Sequence, residues 1–449
     1  MNKKVVTLLT LLLAVVLLAT ACAPAAAPTA APAADSPTEP PAAAEPTAAE
    51  APTAAEPAAA DEKVEIVFWH SYNEQGAEND MLVNTLIPMF EEQHPNITVK
   101  SVAVPYDSFR EKLLAAISAG TAPDLIRSDI IWVPELAEMG ALVPLSDEMS
   151  DFATYQSAVF PGPLSTNLWQ GKYYGLPLDT NTKVWIYNTD VYSAAGITAP
   201  ASMDDLEADC QAVKAVNPNA YLFAADGTYS WVTLPWLWSF GGSITDADIT
   251  TADGYINSPE SVAAYEYLLK LYDEGCISPV ILGDGMDPFA GLASGDYASL
   301  DNGPWTYSIM EAQYPDAKFA AAAFPAGPAG SINVVGGEDI NLFQQSQHKE
   351  EAMEFMRYLL SEEYQLKMME VGQIPVLSSL VDSDAVKNHP YLGVFMQQLQ
   401  TSQARTAHPA WSQIDSIITD AGQLILRKEA TPQQALDDAA AQIDALLKQ

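Results

Sequence analysis

Cationic side chains are scarce in this 449-residue chain. It has 20 Lys and Arg against 58 Asp and Glu, which gives a formal net charge of −38 at pH 7. Nucleic-acid binding is therefore excluded as a main function, because the phosphate backbone requires a basic surface. A strongly anionic ligand is disfavoured too, although a single local Arg could still serve one. The acidic composition favours a soluble, extracytoplasmic protein.

Catalytic and metal-binding signatures are also missing. The chain lacks G-x-S-x-G, H-E-x-x-H, G-x-G-x-x-G and a phosphate-binding G-K-[ST] loop. Its five His are scattered, and no cysteine has a metal-ligand spacing. We therefore predict no enzyme, no cofactor and no metal. A glycosidase needs only two carboxylates, so a secreted hydrolase stays open as an alternative.

Cysteine is rare as well, with only Cys22, Cys210 and Cys276. Cys210 and Cys276 could form a disulfide in an oxidising compartment, or could be two small buried hydrophobic residues. The sequence leaves both alternatives open.

The N-terminus has the pattern of a secretory signal peptide in residues 1–22. Two lysines precede the apolar run Val5–Ala21, which ends at Cys22. Lipid attachment at Cys22 is predicted, although Ala19 stands where lipoproteins usually have Leu, so ordinary signal-peptidase cleavage is the alternative. Residues 23–62 are almost wholly Ala, Pro, Thr and Glu, which predicts a disordered tether.

The remaining residues, roughly 385, are too many for one core and predict two domains. Apolar density predicts strands at 64–70, 97–104 and 124–126, alternating with helices around 82–90 and at 106–119. Such alternation predicts a parallel sheet covered by helices, hence an α/β protein. Further helices are predicted near 203–216, 259–274 and 350–370, and after Thr431.

Short motifs follow one another in order along the chain. They are Phe68–Ser71 (FWHS), Phe90–Ile97 (FEEQHPNI), Gly120–Leu125 (GTAPDL), Leu176–Asn188 (LPLDTNTKVWIYN), Trp236–Gly242 (WLWSFGG), Asp301–Ser308 (DNGPWTYS), Val335–Asp339 (VGGED) and Gly372–Val376 (GQIPV). Together they resemble extracellular solute-binding protein family 1, the maltose-binding-protein-like sugar-binding lipoproteins of ABC importers.

This resemblance implies a periplasmic binding protein of type II, with two Rossmann-like lobes joined by a three-crossing hinge. The crossings would lie near residues 178–182, 332–337 and 380–389. Lobe 1 would comprise residues 63–179 plus 336–384, and lobe 2 residues 180–335 plus 385–449. The ligand would sit in the cleft between the lobes.

The function implied is the carbohydrate-binding component of an ABC importer. It would be a monomer, lipid-anchored to the cell membrane, that captures a mono- or oligosaccharide and delivers it to the transmembrane subunits of the permease. The alternatives are the same fold binding a polyol or glycerol-phosphate compound, and a ligand sensor without transport.

Sugar recognition needs flat apolar faces for ring C–H groups and directed polar groups for hydroxyls. Trp305 follows Asn-Gly-Pro, where the family stacks a Trp on a sugar ring. The resemblance also assigns ligand contacts to Trp231, Tyr229 and Trp411. The remaining tryptophans singled out are predicted to be structural: Trp169, Trp185, Trp236 and Trp238.

Polar contacts are predicted at strand ends and at the hinge. The resemblance places Asn181 in the first crossing. Strand ends of open α/β sheets bind ligands, which suggests two groups of residues. The group after the first strand is His70, Ser71 and Glu74, and the group after the third strand is Arg127 and Asp129.

A further polar pair, Glu338 and Asp339, follows two glycines at the second crossing, where the backbone could approach a ligand closely. For Arg127 and for this pair, an internal salt bridge is the alternative.

Overall fold

A computed structural model describes residues 63–380 and 383–448. The predicted signal peptide, Cys22 and the tether lie outside these residues.

Two sheets and one short ribbon organise the chain. The larger sheet has five strands in the order β2-β1-β3-β11-β6, and the smaller has four in the order β10-β7-β9-β8. Strands β4 and β5 form the ribbon. The strands are β1 (Val64–His70), β2 (Ile97–Ala103), β3 (Leu125–Asp129), β4 (Leu168–Trp169), β5 (Lys172–Tyr173), β6 (Leu176–Thr182), β7 (Val184–Asn188), β8 (Tyr221–Ala224), β9 (Tyr297–Asn302), β10 (Phe319–Ala322) and β11 (Val335–Leu342).

Helices connect and cover these strands. The α-helices of the first half are α1 (Ala77–Met81), α2 (Ile87–Gln93), α3 (Tyr106–Ala119), α4 (Val133–Glu138), α5 (Leu145–Glu148), α6 (Phe152–Ala158), α7 (Pro161–Ser165), α8 (Thr189–Ala195) and α9 (Leu206–Val216). Those of the second half are α10 (Ser230–Phe240), α11 (Pro259–Asp273), α12 (Pro288–Ser294), α13 (Trp305–Gln313), α14 (Lys349–Leu359), α15 (Glu362–Glu370), α16 (Asp384–Lys387), α17 (Leu392–Leu399), α18 (Trp411–Leu426) and α19 (Pro432–Leu447). A π-helical segment (Leu82–Leu86) joins α1 to α2, and 3₁₀ segments occupy Met203–Asp205, Pro279–Leu282 and Ser378–Leu380.

Local sequence explains most helix boundaries. The predicted helix α3 ends at Gly120, which adopts the left-handed conformation with φ +72°. The final helix begins after Thr431, whose side chain caps the Gln434 backbone N–H. The single helix expected at 350–370 is two helices, because Ser361 caps the start of α15. The apolar periodicity continues through Ser361, so it did not indicate that a new helix begins there.

The prediction of a parallel sheet is only half right. Strands β1, β2 and β3 pair in parallel, whereas β11 runs antiparallel to both β3 and β6. Strand β11 is far along the chain from its neighbours, so alternation within the first 130 residues carried no information about it.

Both faces of each sheet are buried. In the larger sheet, Phe68 packs on one face with Phe355 of α14, and Ile126 belongs to the core of the other face with Phe109. In the smaller sheet, Trp185 stacks on Phe223 at a centroid distance of 5.2 Å within one core. The opposite face of that sheet has its own core. We call the two bodies the first lobe, around the larger sheet, and the second lobe, around the smaller one.

The chain crosses between the lobes three times, as predicted. Lys183 alone separates β6 of the first lobe from β7 of the second. The return runs from β10 to β11. The third crossing lies after Leu380, which packs in a first-lobe core, and before Val386, which packs in a second-lobe core. The predicted fold class, two α/β lobes joined by a three-crossing hinge, is confirmed.

The second lobe contains a disulfide between Cys210 of α9 and Cys276, which follows α11. This bond decides between the two alternatives that the sequence left open. Within residues 63–380 and 383–448, no helix combines the length and apolar character needed to cross a membrane.

Candidate functional site

A buried charge network lies where β3, β6 and β11 meet. The register places Glu338 opposite both Asp129 and Asp179. The Arg127 guanidinium reaches both acids: its Nη2 lies 2.9 Å from Asp179 Oδ2 and 2.7 Å from Glu338 Oε2. Because a buried charge without a partner is costly, these ion pairs fix the three side chains. The salt-bridge alternative for Arg127 and Glu338 is therefore observed.

Two further contacts complete the surroundings of Arg127. Its Nη1 donates to Ser71 Oγ at 3.2 Å, and its guanidinium lies 4.3 Å from the centre of the Tyr72 ring. Burial raises the pKa of the Glu338 carboxyl well above its usual range, and Arg127 offsets only part of this effect.

A second ion pair joins the two lobes directly. Arg405 lies in the second lobe, between α17 and α18, and Asp129 ends strand β3 of the first lobe. Arg405 Nη2 is 3.2 Å from Asp129 Oδ1, with side-chain exposures of 7% and 10%. Tyr106 donates its hydroxyl to Asp129 Oδ2 at 2.7 Å. The carboxylate of Asp129 is thus shared between a cation of one lobe and a hydroxyl of the other.

Two tryptophans form a stacked pair beside this contact. Trp231 near the start of α10 and Trp305 at the start of α13 have centroids 6.2 Å apart and planes 28° apart. Both are partly exposed. Arg405 and Lys183 lie over the Trp231 ring, 5.2 Å and 5.4 Å from its centroid.

Gly303 makes the position of Trp305 possible. The indole folds back over Gly303 so closely that a Cβ there would lie 2.2 Å from the Trp305 ring. The glycine before Pro304 therefore has a specific structural role. Only glycine leaves room for this ring next to its own backbone.

Asn181 presents a free acceptor next to the same pair. It lies in β6, is 7% exposed, and its Oδ1 has no hydrogen-bond partner in the described part of the chain. Gly336 of β11 pairs opposite Asn181. A Cβ at Gly336 would lie 2.2 Å from Asn181 Oδ1 and 2.6 Å from the Trp231 ring, so the free oxygen lies close to the ring edge.

The first crossing contains a third buried ion pair. Lys183 Nζ lies 2.6 Å from Asp301 Oδ2, and both side chains are 2% exposed. Asn333 donates to Asp301 Oδ1 at 2.9 Å. Burial lowers the pKa of Lys183 and raises the pKa of Asp301, while their pairing opposes both shifts.

A cavity of about 390 Å³ lies at the ends of β1 and β2, lined by the loop 71–75 with Ala103, Pro105 and Tyr106. Ser71 and Glu74, both predicted contacts, line it. Tyr106 is 47% exposed and stacks on Trp132. Tyr229, 39% exposed, immediately precedes α10 in the second lobe.

Three predicted contacts are almost completely buried in this structure and are engaged by other residues of the protein. His70 is fully buried, with Nε2 hydrogen-bonded to Ser101 Oγ at 2.7 Å. Asp339 is fully buried and accepts a hydrogen bond from Asn167 Nδ2 at 2.6 Å. Trp411 is 1% exposed in a second-lobe core. The neighbouring Glu338 has a different partner, since it contacts Arg127 and not Asn167.

Sequence reasoning missed several residues of this junction, namely Tyr72, Tyr106, Asp179, Lys183, Asp301 and Arg405. A signal existed for Arg405, since the chain has only five arginines. Asp179, Lys183 and Asp301 belong to the motifs that contain Asn181 and Trp305.

Across the described ranges there is no group of three or more His, Cys, Asp or Glu that could hold a metal ion.

Two α/β lobes joined by three crossings, with aromatic and charged residues at their junction, define a two-lobed binding protein of the type II periplasmic fold. Residues 71–366 match the family described as bacterial extracellular solute-binding protein. This chain belongs to that family, whose members bind solutes.

Known proteins similar to this chain cover most of its length. A Brucella abortus protein named as a binding protein is 29% identical over 366 residues, 80% of this chain and 88% of the relative. The galactooligosaccharide-binding protein of Bacillus subtilis is 23% identical over 385 residues, 84% of this chain and 88% of the relative. An ABC transporter solute-binding protein of Thermotoga lettingae, solved with α-D-tagatose, has a TM-score of 0.78 and 25% identity, covering 86% of this chain and all of the solved one.

Proposed function

We propose that this protein is the extracytoplasmic carbohydrate-binding component of an ABC importer. The observation that carries the proposal is the Trp231–Trp305 pair beside the free Asn181 oxygen at the junction of the lobes. The exposed parts of the two indoles offer apolar surface for sugar C–H groups, and the amide oxygen can accept a hydrogen bond from a hydroxyl.

The charges of the junction favour an uncharged solute. The three cations, Arg127, Lys183 and Arg405, are each paired with a carboxylate. Glu338 also contacts Arg127, so that cation already has two carboxyl partners. An anionic ligand would have to displace one of these carboxylates, whereas hydroxyl groups can bind without disturbing them.

The proposed binding surface comprises Trp305, Trp231, Asn181 and Tyr229 with the cavity residues Ser71 and Glu74. Asp129, Arg127 and Glu338 hold this surface in place through their ion pairs. His70, Asp339 and Trp411 are left out, because His70 and Asp339 are hydrogen-bonded to Ser101 and Asn167 and Trp411 packs in a second-lobe core.

Import is supported by the family and by the relatives. The family is extracellular, and the Thermotoga lettingae protein is a solute-binding protein of an ABC transporter. A signal peptide at residues 1–22, lipid attachment at Cys22 and a tether over residues 23–62 would anchor a monomer to the membrane beside the transmembrane subunits of its permease. Closure of the lobes over the sugar would form the surface that the permease binds.

Thermal unfolding of residues 63–449 with a ligand panel tests the proposal. The panel contains glucose, galactose, mannose, tagatose, maltotriose, galactotriose, glycerol and glycerol 3-phosphate. A ligand at 100 times its Kd stabilises the folded state by about 2.7 kcal/mol, which is a measurable shift in Tm.

We expect a shift with at least one sugar and none with glycerol 3-phosphate. A shift with the phosphate alone would contradict the sugar assignment and favour the phosphate-binding alternative. A protein that responds to no member of the panel would contradict the carbohydrate class as well.

A further inference from the structure

The Nε–H of Arg405 is a buried hydrogen-bond donor that the described part of the protein does not use. The Nη2 of Arg405 is committed to Asp129, but its Nε–H has no partner anywhere in residues 63–380 and 383–448. The side chain is 7% exposed. A buried donor without a partner costs free energy, and a ligand that supplies an acceptor there removes that cost.

The direction of this donor is fixed. The guanidinium is planar and rigid, so the bond from Nη2 to Asp129 determines where Nε points. The plane is also held 5.2 Å from the Trp231 centroid. Asp129 in turn is oriented by the Tyr106 hydroxyl. Arg405 is therefore preorganised by residues of both lobes.

Asp129 already neutralises the charge of Arg405, and this affects which ligands Arg405 can favour. With Asp129 at 3.2 Å, the guanidinium presents a donor and little net attraction for an anion. On the same tryptophan, Asn181 Oδ1 presents an unused acceptor near the ring edge. An N–H donor and a carbonyl acceptor around one aromatic ring suit a group that both accepts and donates, which is a hydroxyl.

We propose that Arg405 is a specificity-determining ligand contact that restricts the site to uncharged polyhydroxylated ligands. Its Nε–H donates to a ligand hydroxyl, while Asp129 removes the charge that would otherwise attract acidic sugars. This inference rests on the proposed function, because it assumes that the ligand lies against Trp231.

The contact is tested with Arg405→Lys and the monodeoxy analogues of the panel sugar that gives the largest thermal shift. Lysine keeps the positive charge but lacks the Nε donor. The matched control is Arg427→Lys, because Arg427 is exposed and donates to the Leu282 carbonyl. Isothermal titration calorimetry gives Kd for each pair of protein and ligand.

For the wild type, we expect the loss of one particular hydroxyl to weaken binding by about 10- to 100-fold. In Arg405→Lys that same loss should change Kd by less than about 3-fold, since lysine has a methylene group at the Nε position and its ammonium pairs with Asp129. A role in lobe closure alone would weaken every analogue equally and leave all hydroxyl penalties intact. That result would overturn the proposal.

A second variant, Asp129→Asn, tests the charge argument while keeping an Oδ1 acceptor for Arg405. Its probes are galacturonate and glucuronate, which carry a carboxylate in place of the hydroxymethyl group of galactose and glucose. We expect binding of one acidic sugar to improve by about 10-fold or more relative to its neutral counterpart. An unchanged ratio would contradict the selecting role of the pair.

Different results would contradict the proposed function and the proposed role of Arg405. If the wild type binds no panel sugar, the proposed function fails and this inference fails with it. If the wild type binds a sugar but Arg405→Lys and Asp129→Asn keep its hydroxyl and charge preferences, only this inference fails. Thermal unfolding of each unliganded variant verifies that it folds.

Discussion

Two positions of the candidate site have no room for even one additional carbon atom. Gly336 and Gly303 each lie against an aromatic ring, so that even one added methyl group would collide with Trp231 or Trp305. The glycines of the Val335–Asp339 motif were predicted to allow close approach of the backbone to a ligand. In the structure Gly336 instead makes room for Asn181 and Trp231, the side chains proposed to hold the ligand.

Gly336→Ala should therefore weaken sugar binding by 10-fold or more, because Asn181 and Trp231 must move away from the added Cβ. Gly393→Ala is the control, since that residue lies in helix α17 with no heavy atom within 4 Å of the added methyl group. Calorimetric titration compares the two. Equal Kd values would show that the close contacts at Gly336 do not matter for binding.

His70 provides a residue-scale test that does not involve the ligand. Burial and the nearby charge of Arg127 lower its pKa to about 3. The folded state then holds the neutral ring, while the unfolded chain takes up a proton below its ordinary pKa of about 6.5. Stability from His70 is present above that value and is lost progressively as pH falls towards 3.

Urea unfolding at pH 6.5 and pH 5 measures this loss. The wild type should lose about 2 kcal/mol more unfolding free energy between the two pH values than His70→Gln, in which the position cannot titrate. Gln keeps an uncharged side chain with an N–H donor at this position. Parallel pH profiles for both proteins would show that His70 is not buried in its neutral form.

At the scale of elements, the hinge strands carry several of the polar and charged groups that lie at the junction of the lobes. Strands β6 and β11 pair along the first two crossings and contribute Asp179, Asn181 and Glu338. Lys183 follows β6 directly and pairs with Asp301 of β9. The Leu176–Asn188 motif therefore contributes both the first crossing and two of the charged residues at the junction.

Asp301→Asn should destabilise the protein by about 3–5 kcal/mol, because it leaves the Lys183 ammonium buried without its carboxylate. Asp190→Asn breaks the exposed pair with Lys318, in which both side chains are 68% exposed, and should cost at most about 1 kcal/mol. Urea unfolding gives both values. Similar small losses would mean that the buried pair contributes no more than a surface one.

The sequence predicts elements well where the pattern is local. Helix α3 has the predicted bounds, and Thr431 caps the last helix as expected. Non-local pairing could not be predicted from periodicity, so the sequence did not predict that strand β11 runs antiparallel to its neighbours. The candidate site follows the same rule: the motifs predict Trp305 and Asn181 as contacts, whereas Arg405 meets Asp129 only because two distant segments fold together.

On the scale of the whole molecule, the fold unites distant parts of the chain at one junction. The first lobe contributes Asp129 and Tyr106, the second contributes Trp231, Trp305 and Arg405. A disulfide and a separate core on each face stabilise the second lobe. Rigid lobes joined at a narrow hinge can move as bodies, so a ligand that contacts both of them favours the closed arrangement.

The most direct test of the central claim is the Kd of Trp305→Ala for the best panel sugar, measured by isothermal titration calorimetry beside the wild type. Trp169→Ala is the control, because that indole lies in the β4–β5 ribbon and donates to Glu138. We predict that Trp305→Ala weakens binding by about 5- to 150-fold while the control binds like the wild type. Wild-type affinity in Trp305→Ala would contradict a carbohydrate site at the junction of the lobes.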